Sequence, residues 1–165
     1  MAKAVLISIR PEWVEKILAG EKTLEVRKTR PNMETPFKCY IYCTNSGVAM
    51  GMWGKRGKVV GEFTCNKVTN LFSNSQFWLN EDDVLQTCLS ATEIRKYANG
   101  ANGLYGWHIS KLEIYDDPKP LNRFKPWNRE CKYNDLGFAI PNCGTCQDCI
   151  VKKPPQSWCY VEELK

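Results

Sequence analysis

Lysine, glutamate and arginine side chains gather in the segment that runs from Lys22 to Arg27. Successive side chains of a β-strand point to opposite faces, so Leu24 and Val26 can face a core while Glu25 and Arg27 project together on the other face. Cationic side chains bind phosphate or carbonyl oxygens, and a carboxylate accepts hydrogen bonds from amines and base-edge N–H groups. A surface ion-pair ladder, which adds little stability, has the same pattern. The residues alone leave both interpretations open.

A short amphipathic helix precedes this strand. Pro11 suits the first helical turn, where its missing N–H would have no partner. An apolar stripe at helical spacing follows, formed by Trp13, Val14, Ile17 and Leu18. Gly20 stands where a left-handed residue usually ends a helix. The pattern predicts a helix over residues 11–19, with Lys22 just after the turn that leads into the strand.

The pattern Gly20-x-Lys22-x-x-Glu25-x-Arg27 after such a helix resembles the signature of the ASCH domain family. Members of this family are small β-barrels similar to the PUA domains that bind RNA. The resemblance implies that Lys22, Glu25 and Arg27 line a ligand cleft. It covers residues 4–121 and the closing segment, which resembles bacterial and phage-borne members over residues 154–162. Three further segments carry it: Val5–Ile9, Val59–Phe63 and Tyr105–Ile109.

One branch of the family resembles an acetylcytidine amidohydrolase that uses a lysine, a threonine nucleophile and a glutamate. Lys22 matches the lysine, whereas Glu25 occupies the position of the threonine. A carboxylate does not simply replace a hydroxyl nucleophile in amide hydrolysis. The departure therefore favours binding over catalysis. If the chain is an enzyme, Lys22 and Glu25 are its predicted catalytic residues, acting as a proton-transfer pair.

The adjacent residues Trp107 and His108 form a second group that could contact a ligand. They alternate on a predicted strand, so one of the two faces inward at this point. A tryptophan can stack on an unpaired base, and both residues are included in the predicted ligand-binding set. Core packing for Trp107 and a structural hydrogen bond for His108, the single histidine, are the alternatives.

Nine cysteines are many for this length, and without a secretory signal they are expected to be reduced. The segment Cys143-Gly-Thr-Cys146-Gln-Asp-Cys149 has the close thiol spacing of a zinc knuckle. We expect one structural zinc ion on these three thiolates, with Cys131 or Cys159 as the fourth ligand. An iron–sulfur cluster is the rival, but the ferredoxin-type cysteine three residues later is absent. A loop with free or oxidised thiols is the remaining alternative.

The bulk composition is that of a globular domain: 165 residues, 43% hydrophobic and 25% charged. No apolar run has the length of a membrane span and no signal-peptide pattern begins the chain, so a cytoplasmic protein without membrane contacts is expected. The net charge of +5 is uneven. Residues 1–60 hold 11 Lys and Arg against 5 Asp and Glu, whereas residues 61–165 hold 12 against 13. The basic excess accompanies the signature segment and favours a polyanionic partner.

These observations predict an α+β fold, namely a small PUA-like mixed β-barrel with two or more flanking helices. The chain is expected to form one domain over residues 1–165, with a cysteine- and proline-rich insert at 122–156. Strands are predicted over residues 5–9, 23–28, 37–43, 58–68, 104–115 and 157–162, and further helices over 81–85 and 91–97.

The functional hypothesis is binding of single-stranded nucleic acid, RNA above all, or of a modified nucleoside, in a basic cleft lined by the signature residues. A hydrolase acting on modified cytidine or on RNA is one alternative. A phage-encoded protein-interaction module is the other, with its protein partners unspecified.

Overall fold

The structure is a computed structural model that describes residues 2–47, 49–128 and 149–165. In these ranges the chain forms seven β-strands, three α-helices and two short 3-10 turns. The strands are β1 (Lys3–Ile9), β2 (Leu24–Arg27), β3 (Phe37–Cys43), β4 (Lys58–Ser73), β5 (Gln76–Phe77), β6 (Gly103–Pro120) and β7 (Trp158–Glu162). The helices are α1 (Pro11–Leu18), α2 (Glu81–Thr87) and α3 (Ala91–Ala98). The predicted α+β class with flanking helices is confirmed.

The strands form one mixed sheet in the order β2-β6-β4-β3-β1-β7, with β5 paired to β4. β1 and β3 are parallel, and the other pairs are antiparallel. Among the described residues the end strands β2 and β7 do not pair, so the sheet is not closed as a barrel would be. Arg27 of β2 reaches across this opening instead, and its Nη2 donates a hydrogen bond to the backbone oxygen of Ser8 in β1 at 2.7 Å.

Local capping chemistry sets the helix boundaries. Gly20 follows α1 with a φ of +76°, the left-handed conformation predicted for it. The Asn80 side chain accepts a hydrogen bond from the backbone N–H of Asp83 and begins α2. Ser90 and Glu93 form a reciprocal capping box at the start of α3. These short-range rules account for the end of α1 and for the starts of α2 and α3, but not for the strand that each helix packs against.

The two central strands are longer than the sequence pattern predicted. β4 continues to Ser73 and β6 to Pro120 because the two strands pair with each other along most of their length. Residues 69–73 of β4 are mostly polar, and only Leu71 among them is fully buried. β6 bends near Lys111, whose φ is +47° and beside which the pairing register shifts. The sequence pattern indicates a bulge at the same position, because Tyr105, Trp107 and Ile109 share one strand face whereas Leu112 and Ile114 lie on the other.

In the part of the chain that the structure describes, the core consists of three apolar clusters. The largest joins α1, through Val14 and Ile17, to the sheet and contains the fully buried Trp107. A second cluster lies around Tyr40 and Phe124. The third is formed by Val26, Leu71, Ile94, Ala98 and Leu104. Because this third cluster joins β2 to α3, it fixes the position of α3 beside the signature strand.

Candidate ligand-binding cleft

The side chains of Lys22, Glu25 and Arg27 form one ion-pair triad. Glu25 Oε2 lies 3.5 Å from Lys22 Nζ, and Glu25 Oε1 lies 2.9 Å from Arg27 Nη2. All three residues are buried, with exposures of 3%, 6% and 8% along the chain. The sequence also allowed a surface ion-pair ladder at these positions. A triad buried to this degree is not such a ladder.

Lys22 ties the triad to α2. Its ammonium donates hydrogen bonds to the backbone oxygens of Thr87, at 2.7 Å, and Leu24, at 3.0 Å. Thr87 is the last residue of α2, where unpaired carbonyls attract a cation. The ammonium also lies 5.3 Å from the ring centroid of Trp13, within cation–π range. Two carbonyls and the Glu25 carboxylate thus occupy the directions in which this ammonium can donate.

Arg27 ties the triad to the opposite side of the sheet opening. Besides its bonds to Ser8 and Glu25, its Nη1 donates to Ser157 Oγ at 3.3 Å, just before β7. Its Nε is buried, and no hydrogen-bond partner reaches it from the described residues. The guanidinium therefore holds β1, β2 and the chain before β7 around one polar centre.

Glu25 lies between the two cations, held by both. A carboxylate has about four acceptor sites, two on each oxygen. Lys22 and Arg27 approach different oxygens, so each oxygen keeps acceptor capacity for a ligand. Opposite Glu25 in the β2–β6 ladder stands Trp107, which shares its face of the sheet and belongs to the largest core cluster. The carboxylate itself is fixed from two sides by the Lys22 and Arg27 cations.

The triad lies at a cleft of about 650 Å³, the size range of small-molecule sites. Its walls come from β1, the start of α1, β2, the loop after β3, α3 and the chain before β7. The lining residues are Ser8, Ile9, Arg10, Trp13, Lys22, Glu25, Val26, Arg27, Thr44, Ser46, Leu89, Glu93, Tyr97, Pro154, Pro155 and Gln156. Because β2 does not pair with β7, the cleft occupies the place where a closed barrel would have a strand ladder.

Aromatic and charged groups share the walls. Trp13 is half-buried, and Tyr97 is 41% exposed. Burial raises the pKa of the Tyr97 hydroxyl. The charges of Arg27, Glu25 and Arg10 affect this pKa to a smaller extent, so Tyr97 lies within electrostatic range of the triad. The described lining residues of the cleft include three cations and two carboxylates. The cleft thus combines a net positive charge with two aromatic side chains, a combination suited to a flat, polar or anionic ligand.

The structure does not bring Trp107 or His108 into this cleft. Trp107 is fully buried, 5.8 Å from Phe37 and 6.0 Å from Trp158 between ring centroids. His108 points away from the triad, and its Nε2 lies 2.7 Å from Thr69 Oγ1. Burial and the nearby Lys67 charge lower the pKa of His108. Both residues have the structural roles that were the alternatives at the sequence level.

Most of the predicted zinc ligands, Cys131, Cys143 and Cys146, lie outside the described residues. Cys149 is buried, and burial raises the pKa of the Cys159 thiol to about 11. Within the ranges that the structure describes, no group of three or more His, Cys, Asp or Glu side chains is arranged to hold a metal ion. The zinc site therefore stays a prediction.

Sequence reasoning missed several cleft residues. Glu93 and Tyr97 stand four residues apart on α3, so they share one helix face. That spacing was visible in the sequence, but the packing of α3 against β2 was not. Trp13 belonged to a stripe that predicted core packing, yet its position at the edge of the stripe leaves it half in the cleft. Arg10 and Gln156 carried no signal of their own.

The fold and the cleft define a class of protein: an α+β domain with a PUA-like mixed sheet and a buried Lys–Glu–Arg site at its opening. Residues 7–116 match the ASCH domain profile, and the chain belongs to the ASCH domain family. The family is often proposed to bind RNA. No curated protein matches the chain. Of the helices in the described ranges, none is long and apolar enough to span a membrane.

Solved structures of ASCH proteins from Zymomonas mobilis have the same fold. A serine-to-alanine variant superposes with a TM-score of 0.62 at 19% identity, covering 97% of this chain and 89% of its own. The Zymomonas mobilis ASCH structure without a named substitution has a TM-score of 0.56 at 17% identity, covering 97% of this chain and 88% of its own. A tyrosine-to-phenylalanine variant gives 0.57 at 17%, with 98% and 92%. At such identities the likeness concerns the fold alone.

Proposed function

We propose that the cleft binds one base of a single-stranded nucleic acid, RNA above all, or a modified nucleoside. The observation that carries the proposal is Glu25, a buried carboxylate fixed between two cations and lining a cleft of about 650 Å³. Glu25 accepts hydrogen bonds from an exocyclic amine or ring N–H of the base, as acidic side chains do when they bind cytosine. Because both of its oxygens keep acceptor capacity, two donors on one base edge can be bound together.

The two cations have different roles in this proposal. Lys22 already donates to two backbone carbonyls and contacts Glu25, so it orients the carboxylate and neutralises its charge. Arg27 has more N–H donors than its known partners use, and a base carbonyl or a phosphate can take one of them. Arg10 is 70% exposed at the rim and attracts the phosphate that follows the bound base.

Stacking supplies the remaining affinity. Trp13 and Tyr97 line the cleft from α1 and α3, and an aromatic contact with a base is worth about 1–3 kcal/mol. Tyr97 is exposed enough to be replaced without opening the main core. It is therefore the cleft residue best suited to a test of binding in a protein that stays folded.

The experiment measures binding of nucleosides by calorimetry and of a labelled single-stranded RNA by fluorescence anisotropy, at 50 and 200 mM salt. We expect binding that weakens as salt rises, and nucleosides with an exocyclic amine bound more tightly than uridine. Tyr97→Ala and Arg10→Ala should each weaken RNA binding by about 1 kcal/mol or more, whereas Arg123→Ala, an exposed change outside the cleft, should not. If wild-type protein binds neither class of ligand at 50 mM salt, the proposal is wrong.

A hydrolase acting on modified cytidine or on RNA is the second candidate, because Lys22 and Glu25 are in contact and face the cleft. Among the described residues, the serine and threonine hydroxyls of the cleft have no base beside them. Ser8 Oγ donates to the backbone oxygen of Pro155 at 2.6 Å, and Thr44 Oγ1 and Ser46 Oγ are hydrogen-bonded to each other at 2.9 Å. No described lining residue is a histidine or a cysteine. Incubation with acylated nucleosides and RNA separates the two functions. In Glu25→Gln a binding protein keeps part of its affinity, because the amide still accepts one of the two hydrogen bonds, whereas a Glu25-dependent hydrolase loses turnover. If the wild-type protein shows neither binding nor hydrolysis, a protein-interaction module is favoured.

A structural zinc ion remains part of the proposal for the insert at 122–156. Thiolates at two-residue spacing can hold one ion at about 2.3 Å. Cys143, Cys146 and Cys149 would supply three ligands, and Cys131 or Cys159 the fourth. Nothing in the proposed base recognition depends on this ion.

A further inference from the structure

A second recess, of about 560 Å³, lies on the far side of α3 from the cleft. It is lined by Phe72, Phe77, Thr92, Arg95, Lys96, Ala98, Asn99, Gly100 and Ala101. We refer to these residues as the α3 groove. Among the described residues, its lining holds two cations and two phenylalanines but no carboxylate, which is the composition of a surface for an anionic ligand with flat apolar parts.

Helix α3 separates the two recesses. Glu93 and Tyr97, four residues apart, face the cleft, whereas Thr92, Arg95 and Lys96 face the groove. The alternation follows from helical geometry, because residues three and four apart share a face while neighbours diverge by about 100°. The same helix thus presents an aromatic ring to one recess and cations to the other.

The groove has an arrangement of cations over aromatic rings. The guanidinium of Arg95 lies 5.7 Å from the Phe77 ring centroid, and Phe77 lies 4.6 Å from Phe72. Arg95 and Lys96 are both exposed. Interleaved aromatic and cationic groups are what single-stranded nucleic acids bind, since each base has an apolar face and each phosphate a charge.

Lys28 connects the groove with the cleft. It directly follows Arg27 of the triad, and its ammonium lies 5.2 Å from the ring centroid of Tyr97, which lines the cleft. The same ammonium donates to the backbone oxygen of Asn99, which lines the groove, at 3.4 Å. A row of positive charge therefore runs from Arg27 over the end of α3 to Lys96 and Arg95.

We propose that the α3 groove binds the flanking nucleotides of the strand whose base occupies the cleft. The phosphates cross the end of α3 beside Lys28 and meet Lys96 and Arg95, and a flanking base packs against Phe77. This inference rests on the proposed function of the cleft and extends it from one base to a strand. The occupant is single-stranded nucleic acid because phosphates and bases together match both the cations and the rings.

The distance to be crossed sets the length of strand required. A helix with its side chains is about 10–12 Å across, and stacked nucleotides advance by about 3.4 Å each. Roughly three to four nucleotides therefore separate a base in the cleft from one in the groove. A mononucleotide reaches one recess, whereas a hexanucleotide reaches both.

The experiment compares a mononucleotide with labelled RNAs of three, six and nine nucleotides at 50 mM salt. The test variant is Arg95→Ala/Lys96→Ala. The matched control is Arg123→Ala/Lys165→Ala, which removes the same two kinds of charge from exposed positions outside both recesses. For wild type we expect affinity to rise steeply between three and six nucleotides. The test variant should bind the mononucleotide like wild type and lose roughly tenfold in hexamer affinity for each phosphate contact removed.

Salt titration provides a second measure. Each lost phosphate contact should reduce the slope of log K against log salt by about 0.7. If the hexamer binds no better than the mononucleotide, or if test and control variants behave alike, the groove proposal is wrong while the cleft proposal stands. If wild type binds neither ligand, both fail. A DNA hexamer is measured in parallel with the RNA hexamer. The nucleic acid that the test variant binds more weakly than wild type is the one that occupies the groove.

Discussion

Glu25 is the residue on which the buried triad depends, and replacing it with glutamine should destabilise the fold strongly. The substitution keeps the shape of the side chain and removes its charge, which leaves Lys22 and Arg27 buried without their shared counter-ion. The change therefore isolates electrostatics from packing. It is also the variant that separates binding from hydrolysis, so its stability must be known before its activity is interpreted.

The magnitude follows from the two ion-pair distances. At an effective dielectric constant of about 20, the 3.5 Å pair to Lys22 is worth about 4.7 kcal/mol and the 2.9 Å pair to Arg27 about 5.7 kcal/mol. Several kcal/mol are recovered because the buried carboxylate no longer has to be desolvated. Backbone oxygens of Thr87 and Ser8 continue to hold the two cations. We therefore expect a net loss of about 3 kcal/mol, the lower end for breaking a buried pair.

Urea unfolding, followed by tryptophan fluorescence, measures the free energy of unfolding. Glu34→Gln is the control, since Glu34 is exposed and its replacement should change the stability by less than about 0.5 kcal/mol. In the double variant Lys22→Met/Glu25→Gln the losses should fall short of additivity by about 2 kcal/mol, because the second change removes a charge already left without its partner. A cost for Glu25→Gln no larger than that of the control, or additive losses, would refute the electrostatic reasoning.

Three further predictions concern other parts of the chain. Gly106→Ala should cost about 1–3 kcal/mol in urea unfolding, because its new methyl would lie 2.9 Å from Leu24 Cδ1, whereas Gly51→Ala meets only a flexible carboxylate and should cost less. Since the folded pKa of His108 lies below the unfolded value of about 6.5, the unfolded chain binds the extra proton more readily. Stability should fall as the pH drops below about 7, and His108→Asn should remove part of that slope in thermal melts at stepped pH. Elemental analysis should find about one zinc per chain and less in Cys143→Ser; wild type purified without chelator and free of zinc would contradict the proposed site.

Local sequence rules were sufficient for the signature segment. The spacing of apolar residues in α1, the left-handed Gly20 and the alternation of Leu24 with Val26 depend on neighbours a few residues away. The same holds for Ser90 as the cap of α3 and for the bulge near Lys111. The α+β class and the family therefore followed from the sequence.

Long-range contacts decided the rest of the site. Lys22 meets the carbonyl of Thr87 across 65 residues, and Arg27 meets Ser157 across 130. Trp107 shares the sheet face of Glu25, yet it lies in the core rather than in the cleft because Phe37 and Trp158, from strands far away in the sequence, pack around it. A strand's alternation tells which side chains share a face, but which face becomes a core and which a cleft depends on what packs against it. The gap between β2 and β7, which makes room for the cleft, is a property of the whole sheet.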